Sequence, residues 1–278
     1  MSMDQSEEKR LKQIARQMRI DIIETLHNVK TGHPGGSLSA VEILTVLYHR
    51  QMNASCQDAC NCQRDRFVAS KGHCAPVLYT ALADKGYFPK SELKNLRQLG
   101  CILQGHPDMK RTPGVDISTG SLGLGLSVGI GMSLAGRLNS QDYYTYVLLG
   151  DGELQEGQNW EAAMAAVKFK LDHLIAIVDN NGVQLDGTLE EIMPMGDIGQ
   201  KFAAFGWNVI AADGHDVRSI DAAIEQAKAV HGMPSVIVAK TVKGKGVSFM
   251  EGKNTWHGKA IEDKEYAIAM AELGGNES

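Results

Sequence analysis

The sequence predicts an α/β fold, a three-layer sandwich in which a mainly parallel sheet is covered by helices on both faces. Short apolar segments that are typical of buried strands alternate with longer segments that have a helical period. Strands separated by helices of this length pair in parallel, because each crossover carries a helix across one face of the sheet. The 278 residues are enough for one large α/β domain and slightly short for two.

The predicted elements begin with a helix over residues 7–30, in which apolar residues recur at three- and four-residue steps. Gly and Pro in the segment 31–37 end this helix, and a second helix is predicted over 39–51. The predicted strands are 66–69, 144–149, 174–179, 207–211 and 235–240. The remaining predicted helices are 75–85, 126–138, 157–170, 197–205 and 216–230.

The composition is that of an ordinary soluble protein, with 43% hydrophobic and 22% charged residues. A net charge of -5 gives no indication of a nucleic-acid or anionic-membrane partner. No apolar run approaches the roughly 20 residues that a membrane-spanning helix requires. The polar N-terminus lacks the apolar core of a secretory signal, so we expect a cytoplasmic protein.

Three of the five cysteines lie close together, at Cys56, Cys60 and Cys62. They could form a metal or redox site, but no matching CxxC pair completes a set of four ligands. Three reduced thiols in a surface loop are the favoured interpretation. We expect Cys74 and Cys101 to be small packed side chains.

Two polar segments follow neighbouring predicted strands. Gly150-Asp151-Gly152 comes directly after the strand 144–149, and Asn181 follows the strand 174–179. Because the carboxyl ends of parallel strands share one edge of the sheet, these side chains should lie near each other. With a backbone carbonyl near Val183, their oxygens would suit Mg²⁺ and leave room for diphosphate oxygens and a water. Gly152 would let the backbone approach that diphosphate closely.

Four histidines lie beside glycine in loop-like sequence, at His33, His73, His106 and His257. Loops at one sheet edge could bring them together, and histidine can exchange protons with hydroxyl-rich substrates near neutral pH. The other histidines lie within or beside regular elements, where we expect structural roles. They are His27, His49, His173, His215 and His231.

Six motifs resemble the N-terminal half of transketolases in order and spacing, over residues 10 to 265. They are 32–36, 65–73, 105–108, 120–123, 150–152 with Asn181, and 256–258. The resemblance implies the thiamine diphosphate-binding fold, with residues 1–278 forming one diphosphate-binding domain that begins with a helical segment. Lys71 departs from the asparagine that longer transketolases often have at this position.

The resemblance also implies roles for particular residues. Mg²⁺, for which Ca²⁺ or Mn²⁺ could substitute, would be bound by Asp151, Asn181 and the Val183 carbonyl. The catalytic residues would be His33, His106 and His257. The residues that bind thiamine diphosphate would be His73, Gly120, Leu122, Gly152, Glu153, Asn181 and His257. Glu156, near a subunit contact, and Asp179 would be secondary, with ordinary structural roles about equally expected.

The resemblance further implies a partner, because transketolases activate the cofactor with a glutamate of a following pyrimidine-binding domain. We expect that domain and the C-terminal domain on a separate chain, in a two-plus-two heterotetramer. The reaction would be ketol transfer from a ketose to an aldose, usually as sugar phosphates. The chain would be the N-terminal subunit of a split transketolase, active only with its partner.

Other functions compete with this hypothesis. The chain could be the α-subunit of a 2-oxo acid dehydrogenase, a relative of deoxyxylulose phosphate synthase, or a non-catalytic cofactor-binding subunit. A generic magnesium–nucleotide domain ranks last, because the sequence has no GxxxxGK[ST] loop. For Lys243-Gly-Lys-Gly246, a solvated loop is favoured over a phosphate clamp.

Overall fold

A five-stranded parallel sheet forms the centre of the part of the chain that the computed structural model describes, residues 3–58 and 61–274. Its strands are β1 (Arg66–Ala69), β2 (Thr145–Gly150), β3 (Leu174–Asn180), β4 (Asn208–Asp213) and β5 (Ser235–Lys240). Their order across the sheet is β1-β2-β3-β5-β4, and each neighbouring pair is parallel. The predicted α/β fold class is confirmed.

Helices cover both faces of this sheet. The longer ones are α1 (Gln5–Val29), α4 (Ala75–Asp84), α5 (Gly125–Leu138), α6 (Gln158–Lys168), α9 (Val217–Lys228) and α10 (Asp263–Glu272). The shorter ones are α2 (Pro34–Leu38), α3 (Val41–Val46), α7 (Leu189–Ile192) and α8 (Ile198–Ala204).

Alternating side chains of the strands point into two separate apolar cores. In β2, Tyr146 and Leu148 pack with α1, α3, α4 and α9, whereas Val147 and Leu149 pack with α5, α6 and α8. Every one of these four side chains is fully buried. Because β2 lies inside the sheet and is covered on both faces, it tolerates the uninterrupted apolar run that the sequence shows.

The sequence-based boundaries are wrong in the segment that follows α1. The segment 31–37 was expected to be a break, but α2 begins inside it at Pro34, which is compatible with the first helical position. The single helix predicted over 39–51 is divided into α3 and a π-helical turn, Leu47–Gln51. Helix α2 is entirely buried, and a Cβ on Gly35 would lie 2.8 Å from the Trp256 carbonyl oxygen. Tertiary packing therefore decides this local structure.

The cysteines in the described residues are free thiols. Cys62 is exposed and Cys56 half-buried, whereas Cys74 and Cys101 are buried as expected, and Cys60 lies outside the described residues. Burial raises the pKa of Cys74 to about 12. Within residues 3–58 and 61–274, no three His, Cys, Asp or Glu side chains are grouped so that they could hold a metal ion. No helix in that part of the chain is long and apolar enough to cross a membrane.

Candidate functional site

A cavity of about 310 Å³ lies at the carboxyl ends of the central strands. The residues that follow four different strands line it: Lys71 after β1, Asp151 after β2, Asn181 after β3 and Lys243 after β5. Gly36, His73, Leu122, Gly150, Gly152, Glu153, Gln155, Glu156, Val183, Gln184, Leu185 and His257 complete the lining. The cavity therefore occupies the sheet edge at which parallel α/β proteins bind ligands.

Asp151, Asn181 and Val183 form one corner of this cavity. The Asp151 carboxylate accepts hydrogen bonds from the backbone N–H groups of Gly152, at 2.8 Å, and Gly182, at 2.5 Å. Burial, reinforced by the charge of Asp179, raises the pKa of Asp151 to about 6. The Asn181 Oδ1 atom accepts from the Val183 N–H at 3.1 Å. A carboxylate, an amide oxygen and a carbonyl are hard oxygen donors, and this set fits a divalent cation such as Mg²⁺.

Lys243 is buried beside this corner, so the expectation of a solvated loop is wrong. Only 2% of its surface is exposed, and its Nζ atom donates to the Val183 carbonyl at 2.9 Å. Nζ also lies 2.9 Å from the Nδ1 atom of His257. Burial, together with repulsion from Lys71, lowers the pKa of Lys243 to about 8. The glycine that follows, Gly244, was the one sign in the sequence that this loop is closely packed. Gly244 has a φ of +78°, and a Cβ there would lie 2.6 Å from the Met250 carbonyl oxygen.

Lys71 and Asp179 form a fully buried ion pair behind the cavity. The Lys71 ammonium also donates to the Gly36 carbonyl at 3.0 Å. Asp179 accepts further hydrogen bonds from the hydroxyls of Ser39 and Thr241. Burial alone would raise the pKa of Asp179, but Lys71 and these donors hold it below its ordinary value. Sequence reasoning missed Lys71 as a lining residue, although a lysine two residues after the end of an apolar strand is a signal for a buried, paired charge.

The four glycine-flanked histidines converge, as predicted. The His73 and His257 rings are stacked with their centroids 4.9 Å apart. The centroid of His33 lies 5.4 Å from that of His73, 5.5 Å from that of His257 and 6.5 Å from that of His106. The Nδ1 atom of His33 is buried, and no hydrogen-bond partner for it is present among the described residues. A polar atom of this kind is suited to a ligand hydroxyl.

Burial lowers the pKa of each of these four rings and so favours the neutral imidazole. Burial, with a contribution from Arg97, lowers the pKa of His33 to about 4. Burial and Lys243 lower the pKa of His257 to about 3, and burial lowers the pKa of His73 well below its ordinary value. A neutral imidazole has one donor and one acceptor nitrogen, so each ring can exchange a proton with a bound hydroxyl group.

The low pKa of His33 predicts a pH dependence of stability in the ligand-free protein. The folded-state pKa of about 4 lies below the ordinary 6.5, so the unfolded chain takes up a proton first as the pH falls. The contribution of neutral His33 to the free energy of unfolding should be fully present above about pH 6.5 and should be lost as the pH falls toward about 4. Urea denaturation at several pH values should show a smaller loss for His33→Asn than for the wild type. His231 is exposed, so His231→Asn should show the same pH dependence as the wild type. If the free energy of unfolding of His33→Asn changes with pH as steeply as that of the wild type, His33 does not have a lowered pKa in the folded protein.

The remaining predicted residues lie at the rim or behind the cavity. Gly120 has a φ of +145°, and a Cβ there would lie 3.1 Å from the His106 ring. Leu122 is 39% exposed at the cavity mouth, and Glu156 is exposed beside it. Glu153 lines the cavity, but its carboxylate accepts hydrogen bonds from the Ser70 hydroxyl and from the N–H groups of Gly123 and Gly150. It therefore ties the surrounding loops together.

Comparison with known proteins identifies the family. The family described as "Transketolase, thiamine diphosphate binding domain" matches residues 8–278. The 6-deoxy-6-sulfo-D-fructose transketolase subunit SqwG of Clostridium sp. (strain MSTE9) is 47% identical over 90% of this chain and 91% of its own length. An apulose-4-phosphate transketolase subunit from Phocaeicola vulgatus is 41% identical over 91% of this chain and 89% of its own length.

Longer transketolases match over part of their length only. The human transketolase is 43% identical over 93% of this chain, which spans 41% of that protein. The structure of the transketolase from Leishmania mexicana superposes with a TM-score of 0.89 at 33% sequence identity, covering 95% of this chain and 41% of that one. Family, fold and cavity thus agree, and this chain belongs to the transketolase family, whose thiamine diphosphate binding domain it matches over most of its length.

Proposed function

We propose that this chain is the N-terminal subunit of a split transketolase, which transfers a two-carbon ketol unit from a ketose, or its phosphate, to an aldose. The observation that carries the proposal is the meeting of two features in one cavity. The oxygen-donor corner of Asp151, Asn181 and Val183 lies beside the histidine cluster. The first suits a metal-held diphosphate, and the second suits a polyhydroxylated substrate.

Thiamine diphosphate, when bound, supplies the carbon nucleophile and electron sink for cleaving and re-forming a carbon–carbon bond. Asp151, Asn181 and the Val183 carbonyl would hold Mg²⁺, and Ca²⁺ or Mn²⁺ would find the same oxygen donors there. The Gly152 backbone and His73 would bind diphosphate oxygens, and the buried Lys243 would neutralise part of their charge. Asn181 and His257 would also line the diphosphate, and Glu153 would order the loops around it. Gly120 and Leu122 would contact the rings of the cofactor.

The histidines would bind the sugar hydroxyls and move their protons. Lys243 is the donor in its contact with His257 Nδ1, so the hydrogen of this neutral ring is on Nε2. His257 would therefore present an N–H donor to a substrate oxygen. His33 has a free buried nitrogen at Nδ1, and His106 lies next to it, so both would orient the hydroxyls of donor and acceptor sugars.

A partner subunit would complete the site. The cavity lining includes the exposed apolar side chains of Leu122 (39%) and Leu185 (58%), which a second chain would bury. Met193, whose carbonyl accepts a hydrogen bond from the lining residue Gln155, is also exposed (57%). The two relatives named as subunits have lengths close to that of this chain. We infer that residues 1–278 form the diphosphate-binding domain and that a separate chain carries the pyrimidine-binding and C-terminal domains. Their assembly would be a two-plus-two heterotetramer, with Glu156 near the subunit contact, in the cytoplasm.

Substitution of the histidines tests the proposed catalytic role. In the assembled enzyme, His33→Asn and His106→Asn should each lower kcat about 100-fold, because general acid–base groups contribute on that scale. His231→Asn is the control, since this side chain is exposed. Unchanged turnover in both site variants would assign the chain a non-catalytic, cofactor-binding role.

A panel of ketol and 2-oxo acid donors tests the reaction class. Hydroxypyruvate and xylulose 5-phosphate should be consumed in the presence of an aldose acceptor, whereas pyruvate should not. The reason is the histidine cluster, because decarboxylation of a 2-oxo acid makes little use of several hydroxyl-binding rings. If pyruvate is the only one of these three donors that is consumed, the chain would instead belong to a 2-oxo acid dehydrogenase or to a relative of deoxyxylulose phosphate synthase.

A further inference from the structure

Three charged or polar side chains form a hydrogen-bonded network behind the cavity. Arg19 of α1 donates two hydrogen bonds to the Glu42 carboxylate of α3, at 2.6 and 2.7 Å. The second oxygen of that carboxylate lies 3.0 Å from the Nδ1 atom of His215, in the loop between β4 and α9. Arg19 and Glu42 are 6% and 8% exposed, so their ion pair is shielded from solvent, whereas His215 is half-buried.

Both ends of this network hold the loop that carries Lys243. The Val242 N–H donates to the Nε2 atom of His215 at 2.8 Å. On the other side of Lys243, the Lys245 carbonyl accepts from the Nε atom of Arg19 at 2.9 Å. The backbone is thus fixed immediately before Lys243 and two residues after it. The buried ammonium between these two points contacts the Val183 carbonyl and the His257 ring.

The hydrogen bonds determine the tautomer of His215. A backbone N–H can only donate, so Nε2 must accept from Val242 and the ring hydrogen must be on Nδ1. Nδ1 therefore donates to Glu42, which is ionised. Burial alone would raise the pKa of Glu42, but the His215 hydrogen bond and Arg19 lower it to about 2. Glu42 orients His215 in the same way that carboxylates orient the histidines that ligate metals.

We propose that His215 is a positioning residue, which Glu42 and Arg19 orient so that the Val242 amide, and with it the Lys243 ammonium, is held toward the diphosphate end of the cavity. The statement that Lys243 faces a bound diphosphate rests on the proposed function. A buried lysine loses its hydration and gains by moving toward solvent unless its backbone is restrained. His215 supplies one restraint of this kind, from a loop that does not line the cavity, in addition to the hydrogen bond from the Gly244 N–H to the Gly35 carbonyl at 2.9 Å. The sequence indicated only a structural role for it.

Two substitutions separate the two hydrogen bonds of His215. Asparagine places an amide near the position of Nδ1, so His215→Asn keeps the donor to Glu42 and loses the acceptor for Val242. Glutamine reaches the position of Nε2, so His215→Gln keeps the acceptor for Val242 and loses the donor to Glu42. A purely structural role predicts similar effects of the two variants, whereas the positioning role predicts that the asparagine variant is worse.

Amide hydrogen exchange of the ligand-free chain gives the direct measurement. His215→Asn should accelerate exchange at Val242 by about tenfold or more, whereas His215→Gln should stay within about threefold of the wild type. In the complex with the partner subunit, His215→Asn should weaken the binding of thiamine diphosphate with Mg²⁺ about tenfold or more, and His215→Gln should weaken it less. Equal effects of both variants on exchange and affinity, or unchanged Val242 exchange in His215→Asn, would overturn the proposal. If the wild-type complex binds no thiamine diphosphate, the proposed function fails, and the exchange result alone decides whether His215 positions the loop.

Discussion

Replacing Asp179 by alanine is expected to lower the free energy of unfolding by about 3–5 kcal/mol, because it leaves a buried lysine without its counter-ion. Lys71 is 2% exposed, and its ammonium has the Gly36 carbonyl as its other hydrogen-bond acceptor. The variant also removes the Asp179 acceptor of the Thr241 hydroxyl and one acceptor of the Ser39 hydroxyl, which keeps the Gly36 carbonyl at 3.1 Å. Urea denaturation of the ligand-free chain measures the loss.

A double variant provides the matched control for this prediction. Removing both charges with Lys71→Met and Asp179→Ala should recover much of the lost stability, because no unpaired charge is then left in the interior. Lys12→Ala, which breaks the exposed pair with Glu8, should leave the denaturation midpoint unchanged. If Asp179→Ala lowers the free energy of unfolding no more than Lys12→Ala does, Lys71 and Asp179 do not form a buried ion pair.

Replacing Asp151 by asparagine should weaken Mg²⁺-dependent binding of thiamine diphosphate by more than about 100-fold, beyond the loss seen for residues that only orient metal ligands. The variant keeps the shape of the side chain but removes the anionic oxygen of the proposed ligand set. It also places an amide against the N–H groups of Gly152 and Gly182. Titration of the assembled enzyme with the cofactor, with and without Mg²⁺, measures the effect.

Asp186→Asn is the matched control for the Asp151 variant. Asp186 is an exposed acid in the loop that contains Asn181 and Val183, and it does not line the cavity. Its loss should leave the affinity for the cofactor unchanged. If the two variants bind thiamine diphosphate equally well, Asp151 is not a ligand of the metal.

Where candidate residues follow strands, the sequence was sufficient to predict that they lie close together. Asp151 comes directly after β2 and Asn181 directly after β3, and the parallel pairing of these two strands brings both residues to one edge. The same logic applies to His73, which follows β1 closely in sequence. The convergence of the histidines was predictable because they lie in glycine-rich loops, and loops at one edge of a sheet lie close to one another.

Residues whose roles depend on contacts between distant loops could not be predicted. Lys243 is buried because its loop packs against Gly35, whose carbonyl accepts from the Gly244 N–H at 2.9 Å. His215 acts on Val242 only because Glu42, far away in the sequence, orients its ring. The formation of helix α2 also depends on a contact between distant segments, since close packing against Trp256 overrides the preference of glycine for loops.

Reconstitution from two purified chains tests the central claim most directly. Ketol transfer from xylulose 5-phosphate to an aldose phosphate should be measured with this chain, with a candidate partner that has a pyrimidine-domain sequence, and with both. The proposal predicts transfer only when both chains are present, and its loss on removal of thiamine diphosphate or on chelation of Mg²⁺. Robust transfer by this chain alone, or by the mixture after the cofactor is removed, would contradict it.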